Sequence, residues 1–301
     1  LTQAMTIKDY IQNEARFVEE QLRHFLPSAW DVPQPLKEAM AYSLHAGGKR
    51  LRPILVLAAA ESLGGNREAA LPIACAVEMV HTYSLIHDDL PALDNDDFRR
   101  GMPTNHKVHG EAMAILAGDA LLTHAFYVAS DACLRSGIAP EQGLALIRDF
   151  AEFAGARGMV GGQVADMVGE QGITRLEELQ YIHTHKTGDL IVFSVKAGGR
   201  LANANEEQMK ALEKFGRSIG MAFQILDDIL DITGDEQKLG KPVKSDEKQQ
   251  KVTYPYFIGL EESKKLVREH TEAGKQAINQ AHFPFPQRLL ELADYMMDRD
   301  Y

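Results

Sequence analysis

Cysteine is scarce, at two in 301 residues, and there is a single tryptophan. Cys75 and Cys133 sit in apolar stretches with no CxxC partner and no histidine at ligand spacing. That excludes a disulfide framework and a thiolate zinc site, and it predicts buried thiols in a reducing compartment. Long hydrophobic runs are absent too: the longest, Ile54 to Ala60, is closed off by Pro53 and Glu61. It falls well short of the roughly 18 residues a spanning helix needs, so no stable membrane insertion is expected. Positive charge is in deficit, with a formal net charge of −11. Such a chain repels nucleic acid and anionic membrane surfaces at long range, so any phosphate it binds must meet a local basic cluster. Leu1 to Met5 has none of the regions of a signal peptide and no initiator methionine, as a trimmed start would look, and a cytoplasmic protein is expected.

Proline is absent between Pro140 and Pro242, whereas Pro27, Pro33, Pro35, Pro53, Pro72, Pro91 and Pro103 crowd the first third. Long helices can therefore run through the middle of the chain. Leu71 to His87, Glu111 to Leu134, Gln142 to Met159 and Met209 to Ile232 carry apolar residues at three- and four-residue spacing, with few alternating runs. The fold class predicted is all-α; length alone leaves the domain count open, with one helical-bundle domain over residues 1–301 the expectation. Hydrophobic residues at 45% and charged residues at 25% are enough for a sizeable core. Gly, Pro and polar residues predict loops at Gly64 to Arg67, Asn95 to Thr104, Gly169 to Ile173, Ala202 to Glu206, Gly234 to Lys251 and His282 to Pro286.

Two aspartate-rich strings stand out. In FQILDDILDITGD, Phe223 to Asp235, helical geometry puts Asp227 and Asp231 one turn apart on one face with Asp228 beside them. Two or three carboxylates are thus expected to converge within an apolar stretch, which is costly unless a cation or hydrogen bonds compensate. In HDDLPALDNDDFRRG, His87 to Gly101, the residue one turn after Asp88 is Ala92, so simple pairing fails. Pro91 disfavours α geometry at Leu90, which predicts that the chain leaves the helix after Asp89 and loops back to bring Asp94 near Asp88. An EF-hand is excluded, because a calcium loop from Asp94 would place Phe98 at its fifth position and Asn105 where a bidentate Glu belongs. Each string alone could be a solvated helix end. Two together favour magnesium held jointly by carboxylates and substrate phosphates.

Basic clusters lie close by. GGKRLRP concentrates Lys49, Arg50 and Arg52 beside glycines, without the GxxxxGK[ST] pattern of a P-loop, and reads equally as a solvated basic turn. Arg99 and Arg100 follow the first acidic string, where two guanidinium forks could hold a diphosphate. Lys186 and Thr187 lie in THKTGDL, and Lys241, Lys244 and Lys251 after Leu239. His81, two turns before Asp88, is either a phosphate donor or a core histidine; His183 and His185 lack ligand companions and are given no metal role.

Taken in order, GGKRLRP, HDDLPALDNDDFRRG, GMVGGQVADM, HKTG, FQILDDILD and LGK resemble the trans-isoprenyl diphosphate synthases, and among them the bacterial farnesyl diphosphate branch, over nearly the whole chain. The resemblance implies a homodimer of all-α subunits of the isoprenoid synthase type, each with a central cavity. It implies that isopentenyl diphosphate is condensed head-to-tail with dimethylallyl and then geranyl diphosphate to give farnesyl diphosphate. By the same resemblance, Asp88 and Asp94 would bind two magnesium ions and Asp227 a third, with Asp89, Asp228 and Asp231 completing the acidic set. Arg99, Lys186 and Lys241 would grip the allylic diphosphate. Lys49, Arg52, His81 and Arg100 would hold isopentenyl diphosphate, while Thr187 and Gln224 would face the reacting carbons.

Product length is expected to follow from side chains below the first aspartates, Tyr83 and its neighbour Ser84. An aromatic at Tyr83 resembles the fifteen-carbon enzymes, whereas geranylgeranyl synthases usually carry a smaller residue there. The chain departs from the family after LGK, where Val243, Lys244 and Ser245 precede Asp246 in place of the usual glycine. A geranylgeranyl diphosphate synthase and a silent subunit of a prenyltransferase complex are the alternatives. A cyclising terpene synthase has no need of the second diphosphate site that Lys49, Arg52 and His81 suggest.

Overall fold

The structure is a computed structural model that describes residues 4–233 and 252–299; Lys241, Lys244, Lys251 and the LGK segment lie outside the described residues. The chain forms two compact units, Leu1–Leu57 with Asn66–Ile147, and Ala58–Gly65 with Arg148–Tyr301.

The first unit contains α1 (Ile7–Phe25), α2 (Gln34–Leu44), α4 (Arg67–Asp88), α5 (Asn105–His109) and α6 (Glu111–Arg135), and α3 (Leu51–Ser62) begins in it. A capping box starts α1: Asp9 donates its N–H to the Thr6 hydroxyl at 3.1 Å, and Thr6 returns its own N–H to the Asp9 carboxylate at 3.2 Å. At the start of α4 the Asn66 side chain accepts from the Glu68 N–H at 2.9 Å. The helix then buries Ala70, Ala74, Val77 and many others. Its neighbour α6 turns Ala114, Ala117, Gly118, Leu121, Ala125 and Ala129 inward, and such small residues let two helix backbones approach closely.

Both α4 and α6 are long and apolar enough to cross a membrane by length and composition alone, although neither is one unbroken apolar run. In α4 that apolarity is used for the core: 72% of the relevant window is buried inside the protein.

The second unit contains α8 (Met159–Gly169), α9 (Leu176–Ile182), a π-helical segment (His183–Gly188), α10 (Asp189–Leu201) and α11 (Glu206–Thr233). It ends in α12 (Tyr254–Ile258), α13 (Leu260–Gln280) and α14 (Gln287–Met297), and α7 (Pro140–Ala154) passes into it from the first unit. Its core gathers Leu179, Ala222, Ile225, Ile229, Tyr254 and Val267. The Ala222, Ile225 and Ile229 spacing of three and four is the apolar stripe of α11.

The all-α class holds, with two departures from the sequence reading. The helix expected from Gln142 to Met159 stops at Ala154. Gly158 explains the break, since a Cβ there would lie 2.0 Å from the Phe153 carbonyl oxygen. The loop expected over Asn95 to Thr104 contains an antiparallel ladder, β1 (Phe98–Arg99) against β2 (Met102–Pro103). Its two turn residues, Arg100 and Gly101, have φ of 52° and 74°, as a type I′ hairpin requires.

Candidate active site

In the first unit, α4 ends at Asp88, and the chain turns back as the proline predicts. Asp94 donates its N–H to the Asp88 carbonyl at 2.8 Å, Asn95 to Leu90 at 3.1 Å and Asp96 to Asp89 at 3.1 Å. Asp94 is exposed and Asp88 half-buried, while Asp89 is only 3% exposed. Asp89 accepts both arms of the Arg99 fork, at 2.8 and 2.7 Å. Burial depresses the Arg99 pKa, but the bonds to Asp89 and the charges of Asp88, Asp89 and Asp96 outweigh it and raise the pKa overall. Asp89, expected among the metal ligands, holds Arg99 in this structure.

Arg100 donates to the Gly47 carbonyl. Gly48 lies against its guanidinium, where a Cβ would come within 2.7 Å. The glycine turn and the RRG hairpin, 53 residues apart, are therefore one structure. Arg52 approaches His81 Nε2 at 3.4 Å. Burial holds His81 well below the usual imidazole range, and Arg52, Arg100, Arg99 and Arg50 push it the same way. The ring is neutral, so it can accept from Arg52 on Nε2 and still donate from Nδ1. Burial also lowers Arg52, which Glu78 opposes and Arg100 reinforces. A cationic patch of Arg52, Arg99 and Arg100 around a neutral histidine suits a diphosphate.

Arg50 behaves unlike its neighbours. It is 2% exposed, with φ 56°, and bonds Glu78 at 2.9 Å and the Leu44 carbonyl at 2.8 Å. One member of the basic cluster is therefore structural, while Lys49 is exposed.

In the second unit, Lys186 and Thr187 lie on the π-helical segment, a distortion often found at functional sites. A Cβ on Gly162 of α8 would sit 2.1 Å from the Lys186 backbone nitrogen. The glycines of GMVGGQVADM thus let α8 press on the HKTG backbone. Lys186 Nζ reaches Asp166 Oδ2 at 2.5 Å. Lys186, Thr187, Gln224, Asp227 and Asp228 share a cavity of about 160 Å³, so five of the residues picked from sequence are brought together.

The three acids of α11 do not converge as expected. Successive helical residues turn by about 100°, and Asp228 points to His183 Nε2 and to the Tyr254 N–H, both at 3.0 Å. Asp231 is fully buried, whereas the Asp227 side chain is 37% exposed. Among the described residues no three His, Cys, Asp or Glu side chains form a ready cation cage. One or two carboxylates per unit, with oxygen the only donor atom, fit a magnesium ion that takes its remaining ligands from phosphates and water. His183, which holds Asp228, and Asp189, which accepts from His185 at 2.6 Å and from Arg217, carry no motif signal of their own.

An all-α scaffold with an aspartate loop beside arginines, and a second aspartate facing a lysine, a hydroxyl and an amide, has the makings of an enzyme that handles diphosphates. The polyprenyl synthetase family model matches residues 33–283. The chain is 49% identical over 277 residues to a farnesyl diphosphate synthase of Geobacillus stearothermophilus, covering 92% of this chain and 93% of the relative. It is 45% identical over 297 residues to a geranylgeranyl diphosphate synthase of Cyanophora paradoxa, covering 97% and 96%. A crystal structure of an FPP/GFPP synthase from Zymomonas mobilis superposes with a TM-score of 0.85 at 34% identity, covering 98% of this chain and all of the other. The chain belongs to the polyprenyl synthetase family and is a prenyltransferase by that membership.

Proposed function

We propose that the chain is a farnesyl diphosphate synthase, joining isopentenyl diphosphate first to dimethylallyl diphosphate and then to geranyl diphosphate. The observation that carries this reading is the cavity shared by Lys186, Thr187, Gln224 and Asp227. A cation and a carboxylate serve a departing diphosphate, and a hydroxyl and an amide serve a carbocation. Magnesium, three ions in all, would be held by Asp88 and Asp94 in the first unit and by Asp227 in the second. It would supply Lewis acidity that neutralises the leaving pyrophosphate.

The residues themselves do the rest. Arg99, Lys186 and Lys241 bind oxygens of the allylic diphosphate; Lys49, Arg52, Arg100 and neutral His81 bind isopentenyl diphosphate. The allylic carbon–oxygen bond breaks with its electron pair leaving on pyrophosphate. The π pair of isopentenyl diphosphate forms the new carbon–carbon bond, and the proton lost from the adjacent carbon passes to a pyrophosphate oxygen. Oriented oxygens of Thr187 and Gln224 stabilise the cation, which has to be kept from water until it reacts. Residues 1–301 are read as one polyprenyl synthetase domain, working as a cytoplasmic homodimer.

A second reading, a geranylgeranyl diphosphate product, is supported by the similarity to the Cyanophora relative; the buried Tyr83 ring supports the shorter product. The test is a product assay with isopentenyl and geranyl diphosphates, with and without magnesium. A magnesium-dependent fifteen-carbon product is expected. A twenty-carbon product would replace the assignment of length, and no condensation with any divalent metal would overturn the reading.

A further inference from the structure

Asp227 already has a cation on it. Arg299, just beyond α14, donates Nη1–H to Asp227 Oδ1 at 2.7 Å and Nη2–H to the Phe223 carbonyl at 2.8 Å. Its Nε–H goes to the Met296 carbonyl at 3.0 Å, and its guanidinium carbon lies 3.8 Å from the centre of the Phe223 ring. Phe223 is one turn before Asp227 on α11. The Arg299 side chain is only 7% exposed, so a permanently charged group is seated on the α11 carboxylate and ties the C-terminal tail to it.

We propose that Arg299 is the resident counter-ion of Asp227, and that a divalent metal binding this carboxylate competes with it and drives it off. Arg299 then sets how much metal the enzyme needs and couples metal loading to release of the tail. The inference rests on the reading of Asp227 as a metal ligand. Arg299 engages Oδ1 only, but a divalent ion on either oxygen of this carboxylate lies close to the guanidinium and the two cations repel each other strongly. The Asp227 end of the pair is 37% exposed and screened by solvent, so the competition should shift apparent metal affinity by about two- to fivefold rather than abolish binding.

The test uses the full chain as wild type, Arg299→Gln, Arg299→Lys and Asp227→Asn. Half-activating magnesium should fall about two- to fivefold in Arg299→Gln and return toward wild type in Arg299→Lys. Independently of turnover, hydrogen exchange in the last turn of α14 should speed up in wild type when magnesium and inorganic pyrophosphate are added. In Arg299→Gln it should be fast already. An unchanged or raised magnesium requirement in Arg299→Gln, or slower exchange of the wild-type tail on adding metal, overturns the proposal. If Asp227→Asn leaves the magnesium requirement of an active enzyme unchanged, Asp227 is not a metal ligand, and the proposal falls with that reading.

Discussion

Gly162 and Lys186 touch backbone to backbone: a Cβ on Gly162 would lie 2.1 Å from the Lys186 nitrogen and 2.6 Å from its Cα. Neither atom is the end of a flexible side chain, so Gly162→Ala must push α8 and the π-helical segment apart. Overpacking of this kind costs about 1–3 kcal/mol. Lys186 and Thr187 would move with the segment, so turnover should drop by about tenfold or more, as misplacement of positioned groups does. Circular dichroism should still report a helical protein. Wild-type turnover in a folded Gly162→Ala variant would mean that this contact does not position Lys186.

Arg50 and Glu78 form a buried ion pair at 2.9 Å, with side-chain exposures of 0% and 3%. Arg50→Ala strands a buried carboxylate and should cost about 3–5 kcal/mol. Replacing both residues with apolar ones of similar volume should recover much of that loss. Urea denaturation of the single and double variants measures both effects.

The long helices were readable because a three- and four-residue apolar stripe survives in α4, α6 and α11 without any knowledge of partners. The aspartate loop was readable because Pro91 acts locally on Leu90. What the sequence reading missed is non-local. Asp228 reads from the sequence as one of the acidic set, and its bond to His183, 45 residues away, is not visible there. Arg50 reads from the sequence only as part of a basic cluster, because its carboxylate partner lies 28 residues on. The hairpin was hidden because Arg100-Gly101 sits in a polar stretch with no alternating strands to announce it. The π-helical segment depends on how α8 and α11 pack around His183 to Gly188, which no periodicity in HTHKTG records.

His81 gives a pH prediction with a definite sign. Its folded pKa lies well below the ordinary 6.5, through burial and then through Arg52, Arg100, Arg99 and Arg50. Below about pH 6.5 the unfolded chain gains a proton that the folded chain refuses. The contribution to stability is fully present above that value and is lost as the pH falls toward the lower folded pKa. His45, His124 and His270 are lowered as well, chiefly by burial, and act in the same direction. The wild-type melting temperature should fall between about pH 7 and about pH 5.5, and His81→Gln should flatten part of that slope. An equally steep slope in His81→Gln would assign the effect to the other three histidines.

Tyr83 is 7% exposed and stands edge-on to His87, ring centres 5.6 Å apart. His87 is fixed in turn: its Nε2 lies 3.0 Å from the Ile115 carbonyl oxygen, and a Cβ on Gly118 would come within 2.2 Å of the same nitrogen. The tyrosine ring is therefore held by a neighbour that is itself held against the α6 backbone, so the obstacle we propose for the growing chain is a stiff one. Tyr83→Ala removes the obstacle and should shift the product from fifteen toward twenty carbons, at a stability cost of about 3–5 kcal/mol, as for other large aromatic truncations. Tyr83→Leu retains much of the bulk and should keep the fifteen-carbon product. Resolving the prenyl alcohols after phosphatase treatment distinguishes the cases: if Tyr83→Ala is active and its product is no longer than that of wild type, the floor of the cavity lies elsewhere.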